Sequence, residues 1–151
     1  SDLNRGPDDL PHLAAKSAWH FNTDGDLQGW TPNGYLKAEV RGGVLIGEAT
    51  GPDSVLQGPG VQIEAEKTGQ FTIRMRSNTD DYAQLFWSTA TSSISESNSL
   101  RFKVIGDNEF HDYRLDLNLS PQWRGLITSL RLDPSWQTGT KLAIDSIRFS
   151  N

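Results

Sequence analysis

Three tryptophans in this sequence sit among polar and turn residues, where a ring could do work outside a core. They are Trp87 in Gln84-Leu85-Phe86-Trp87-Ser88-Thr89, Trp123 in Pro121-Gln122-Trp123-Arg124-Gly125, and Trp136 in Asp133-Pro134-Ser135-Trp136. Exposed indole rings stack on the apolar C–H faces of sugar rings, while the sugar hydroxyls bond to Asp, Asn, Gln and Arg. The competing arrangement is a loop Trp folded back over the end of the core. Phe86 and Trp87 are neighbours on one strand, so they point to opposite faces and one of them must leave the core side. Arg74, Arg76, Arg101, Lys103, Arg114 and Arg131 all take the non-core side of alternating segments. Arginine suits bidentate grip on carboxylate or sulfate, which points to an anionic chain such as a uronate or sulfated polymer. Ordinary solvated alternation, balanced by Asp112, Asp116 and Asp133, produces the same pattern.

Other chemistry is thinner. Asn22-Thr23-Asp24-Gly25-Asp26 offers hard oxygen ligands suited to Ca²⁺ without the full EF-hand loop. Asp145 stands in Leu142-Ala143-Ile144-Asp145-Ser146-Ile147. Strict alternation puts it on one face with Ala143 and Ile147, where a bare carboxylate is costly to bury. His12, His20 and His111 are far apart in sequence, with no partner at metal spacing. No Gly-x-Ser-x-Gly elbow is present. Asp80-Asp81 reads as a solvated turn. His111 with Tyr113 on one strand could act as base and acid in a polysaccharide lyase, with Arg74 or Arg76 neutralising a uronate. A half-buried strand explains the same two residues.

The elements that must position these groups are short strands. From Trp19 onward, alternating segments are separated by turn residues. They run Ala18–Phe21, Leu36–Val40, Val44–Ala49, Val55–Leu56, Val61–Glu66, Phe71–Arg76, Ala83–Thr89, Leu100–Ile105, Phe110–Leu117, Ile127–Asp133 and Lys141–Phe149. Gly42-Gly43 between two of them is a hairpin signal. The spacing, with no helical period, predicts an all-β antiparallel β-sandwich, a jelly roll of about ten short strands. Residues 1–17, with Gly6, Pro7 and Pro11, read as a linker or N-terminal arm, and 18–151 as the jelly-roll domain.

Composition sets the limits. The chain has 151 residues, a net charge of −5, five Trp and no Cys. Without cysteine there is no disulfide and no thiolate metal site. The acidic balance argues against non-specific nucleic-acid binding. No apolar run approaches the ~18 residues of a membrane span. Seven of the nine arginines fall in the second half, which leaves room for a local anion-binding face. The opening Ser-Asp-Leu-Asn-Arg-Gly does not read as a signal peptide. A secreted parent whose leader has been removed would look the same.

Several stretches are similar to the jelly-roll, galactose-binding-like carbohydrate-binding modules attached to bacterial polysaccharide-degrading enzymes. They are Trp19-His20-Phe21 with Asp26-Leu27-Gln28-Gly29-Trp30, Ile73-Arg74-Met75-Arg76, Phe110-His111-Asp112-Tyr113, Leu130-Arg131-Leu132-Asp133-Pro134 and Ile144-Asp145-Ser146-Ile147. The resemblance implies a non-catalytic module; the expectation is a secreted or cell-surface domain, monomeric when isolated, that holds a linked catalytic domain on a polysaccharide. It also implies a structural Ca²⁺ held at the end of the first strand and by an Asp on the last. The matching residues are Asn22 and Asp145, with Asp24 beside them. Arg74, Arg76, Gln84, Trp87, Trp123 and Arg131 are the expected sugar contacts. The alternatives are the His111/Tyr113 lyase and an accessory domain that binds no sugar.

Overall fold

Alternation of apolar and polar residues organises the chain into eleven strands. The computed structural model describes residues 16–151. The expected arm therefore lies outside the described residues except for Lys16 and Ser17. The strands are β1 (Ala18–His20), β2 (Thr31–Pro32), β3 (Leu36–Arg41), β4 (Val44–Ala49), β5 (Leu56–Glu64), β6 (Gln70–Ser77), β7 (Asp81–Thr89), β8 (Ser99–Val104), β9 (His111–Asp116), β10 (Leu126–Asp133) and β11 (Lys141–Ser150). Two 3₁₀ turns, Ala65–Lys67 and Leu117–Leu119, complete the set.

The strands form two antiparallel sheets. One has the order β3-β4-β11-β6-β9, and the other β2-β5-β10-β7-β8. From β4 to β7 the chain changes sheet at every step, and it does so again from β8 to β11, which is jelly-roll winding. β1 pairs with the C-terminal half of β11, Ala18 opposite Arg148 and His20 opposite Ser146. β4 pairs with the N-terminal half of β11, Lys141 opposite Glu48. The Phe149 N–H donates to the Ser17 carbonyl at 2.7 Å, so both ends of the described chain lie side by side.

Inward rows from both sheets make one core. Phe71, Ile73 and Met75 of β6 meet Leu85 and Trp87 of β7, with Ile144, Ile147 and Phe149 beside Leu130 and Leu132. Trp19 and Trp30, both buried, pack edge to face at 5.4 Å. The Gly42-Gly43 hairpin has φ of +65° and +87°, which suits a turn that only glycine fills without strain.

Three local departures from plain alternation matter. The segments before and after Gly58-Pro59-Gly60 are one strand, β5, not two. Its pairing with β10 shifts between Ser129 and Arg131, and this irregularity accommodates the proline. β2, only Thr31–Pro32, has no alternation to announce it. The pairing of β11 with β6 shifts between Ile144 and Ser146. That bulge resets the phase at Asp145, so Ile144 and Ile147 both face the core and Asp145 does not.

Candidate functional site

The expected contact residues divide between the two sheets and the core. Arg74 and Arg76 stand on the outer face of the β6 sheet, over the Phe110 ring at 5.4 and 4.9 Å. Gln84 and Arg131 belong to the other sheet, on the opposite side of the sandwich. A single face holding all four does not exist.

Trp87 and Trp123 are corrected as exposed sugar contacts. Trp87 is 0% exposed, because Ala83, Leu85 and Trp87 form the inward row of β7. Its Nε1 donates to the Gln122 carbonyl at 3.1 Å. Trp123, 5% exposed, folds back between Trp87 (edge to face, 5.2 Å) and Phe149 (stacked, 5.9 Å), and its Nε1 donates to the Thr68 carbonyl at 2.7 Å. Of the neighbouring pair, Phe86 is the ring that leaves the core.

Trp136 is the tryptophan that reaches solvent, at 37% exposure, and Tyr82 joins it at 45%. Their rings lie 6.0 Å apart at an interplanar angle of 31°. The loop after β10 is pinned to bring them together. The Asp81 carboxylate accepts from the Ser135 hydroxyl at 2.6 Å and from the Trp136 N–H at 3.0 Å. Gln137 donates to the Asp80 carbonyl, and the Ser135 carbonyl accepts from the buried Ser54 hydroxyl. Asp80-Asp81 therefore anchors this loop, with Asp80 also accepting the Gly106 N–H at 2.7 Å. Tyr82, Trp136, Lys103, Gln137, Asp80 and Asp81 line a cleft of ≈ 370 Å³. Tyr82 was legible as the first outward member of the row Tyr82, Gln84, Phe86, Ser88.

The middle of this face is polar and fixed. The Arg101 guanidinium lies over the Trp136 ring at 4.9 Å and pairs with Glu96 at 3.2 Å. Gln84 donates to Glu96 and to Ser99, each at 2.9 Å. Arg131 lies over Phe86 at 4.6 Å, and its Nε and Nη2 donate to the two Asp133 oxygens at 2.8 and 2.9 Å. That bidentate bond pushes the Arg131 pKa up, against partial burial. Lys103 has no ion pair among the described residues.

The residues expected to hold calcium do not fit the ion as they stand. Asp145, outside the core, faces the Arg74 guanidinium at 3.7 Å, a cation where a second carboxylate would be needed. Asp24 accepts the Gly42 N–H at 3.1 Å. Asn22 follows β1 as an exposed residue. Among the described residues no group of three His, Asp or Glu side chains is placed to share a metal.

His111 and Tyr113 also have other partners. His111 Nε2 lies 2.9 Å from Asp107, whose carboxyl is held below its usual range by that bond. Tyr113 faces inward against Phe102, and its hydroxyl accepts the Ile105 N–H at 2.9 Å. Burial pushes the Tyr113 pKa up, the wrong direction for ready proton exchange.

No protein-family model matches this sequence, and no curated protein matches it. Solved structures do. One, BiXyn10A CBM1 in its apo form, superposes with a TM-score of 0.61 at 8% identity, covering 91% of this chain and 98% of that one. A family 29 carbohydrate-binding module complexed with mannohexaose gives 0.58 at 11% identity, covering 88% and 89%. This is the fold of carbohydrate-binding modules. An arabinose-bound α-L-arabinofuranosidase gives 0.62 at 12% identity, covering 91% of this chain and 26% of the enzyme, so there the same sandwich is one part of a larger chain.

Proposed function

We propose that this protein is a non-catalytic polysaccharide-binding module that binds through the outer face of the β2-β5-β10-β7-β8 sheet. The observation that carries this reading is the exposed Tyr82–Trp136 pair, pinned by Asp81 beside fixed hydrogen-bonding groups. Two rings at a cleft offer sugar C–H faces a stacking surface, and Gln137 and Lys103 offer donors to hydroxyl groups. The fold neighbours support the reading, since one is complexed with mannohexaose and another occupies a quarter of a glycosidase. In a longer chain the module would tether a catalytic domain to its polymer outside the cell, raising local substrate concentration.

Ligand charge follows from the pairing of the arginines. Arg101 and Arg131 are matched by Glu96 and Asp133. An anionic chain would be gripped through Lys103. Affinity gel electrophoresis against mannan, xylan, galactan, alginate and sulfated galactan tests the function. Trp136→Ala and Tyr82→Ala should each weaken binding at least about tenfold with the fold intact. Retention of full affinity in both variants would remove this face from the account.

A further inference from the structure

A second cleft, at the far end of β7, has no role in the site just described. It has a volume of ≈ 480 Å³ and is lined by Glu66, Thr89, Thr91, Ser92, Gln122 and Arg124, among others. We infer that it is a second sugar subsite, binding without aromatic stacking, on the same polysaccharide chain that occupies the Tyr82–Trp136 cleft. The inference rests on that binding reading.

Its walls are built, not loose. Glu66 accepts the Gly125 N–H at 2.9 Å, and Gly125 holds φ at +69°, a left-handed position that suits glycine. Thr89 Oγ1 accepts the Thr91 N–H and bonds the Ser92 hydroxyl at 2.7 Å. Ser92 Oγ in turn accepts from the buried Asn98 amide at 2.9 Å. The Gln122 backbone is fixed by the core Trp87 Nε1. Trp87 is thus a positioning residue for this cleft.

The functional groups left facing solvent match a sugar's hydroxyls. The Gln122 amide makes no side-chain hydrogen bond and Arg124 no ion pair among the described residues, and one Glu66 oxygen takes the Gly125 bond while the carboxylate stays exposed. Adjacent hydroxyls donate and accept, and a carboxylate, an amide and a guanidinium together satisfy both roles. No tryptophan, tyrosine or phenylalanine lines the cleft, so stacking plays no part in it.

The two clefts share one strand. Tyr82 begins the outward row of β7; Thr89, opposite Ile127 and out of phase with that row, ends the strand and lines the second cleft. Between them the row runs through Gln84, Phe86 and Ser88, whose hydroxyl bonds Thr128 at 2.8 Å. Seven residues of extended strand span ~23 Å, room for several sugar residues in line.

The test uses the polysaccharide retained in the panel above, hydrolysed to a ladder of two to eight sugar residues, with binding measured by titration calorimetry. The double variant Gln122→Ala/Arg124→Ala alters one half-buried and one exposed side chain and leaves the Gln122 carbonyl in place. It should bind the shortest retained oligosaccharide as the wild type does and the longest at least fivefold more weakly. Trp136→Ala should weaken binding of every length alike, at least about tenfold. Equal affinity of the double variant and wild type at every length overturns the subsite while leaving the Tyr82–Trp136 cleft standing. Retention of no polysaccharide by the wild type overturns both. Thermal melting confirms that each variant is folded.

Discussion

At the scale of single residues, the five tryptophans separate by the direction their strands give them. Trp87 continues an inward row, so Trp87→Ala opens a core cavity and removes the bond to Gln122; about 3–5 kcal/mol of stability should be lost in denaturant unfolding. Trp136→Ala should cost less than about 1 kcal/mol, since the ring rests on the surface under Arg101. Reversal of that order would place Trp136 in the core and undo the candidate site. The sequence showed that one of Phe86 and Trp87 must face out, but the choice depends on phase, which Ala83 and Leu85 decide. Trp123 takes the folded-back arrangement, one of the two the sequence left open, because a tryptophan in a loop has no alternation to orient it. Asp145 makes a sharper case. Its ion pair with Arg74 predicts that chelator leaves the melting temperature unchanged. A drop on chelation that Asp145→Ala abolishes would restore the calcium clamp.

At the scale of elements, strand identity was read well wherever alternation was regular. β4 matches its expected bounds, β6 and β10 extend theirs by one residue at one or both ends, and β8 lies one residue earlier than expected. What alternation cannot report is irregularity. The bulges at Asp145 and in the β5–β10 pairing each shift the phase by one residue, and neither changes composition. The connection between the Ala65–Lys67 turn and the loop before β10 is a separate device. The Gly125 N–H holds the Glu66 carboxyl below its usual range. A lowered folded-state pKa gives stability that is present above the ordinary glutamate range and lost as pH falls through the folded value. Urea unfolding of wild type and Glu66→Gln across pH 3 to 6 should therefore converge at the acid end, with the variant less stable at the neutral end. Parallel curves would show that the bond contributes nothing through charge.

At the scale of the whole molecule, winding decides what sequence distance cannot. Arg74 and Gln84 are ten residues apart and fall on opposite faces, because β6 and β7 lie in different sheets. The arginine-rich second half therefore does not become one basic surface. Each arginine over an aromatic ring on the candidate face has a carboxylate partner, so net charge there is small. Binding should then weaken less than about threefold between 50 and 500 mM salt. A steep salt dependence would show that Lys103, or Arg124 in the second cleft, grips an anionic polymer.

The pairing of β1 with the last residues of β11 has one more consequence. Ser17 and Phe149 share a hydrogen bond, so the first and last strands of the sandwich lie side by side. A short peptide joining the two ends, with a new opening in the exposed loop at Ser93–Ser95, should give a circular permutant with the same sheets. Such an arrangement also lets the module be spliced into a loop of another protein, entering and leaving through a single gap.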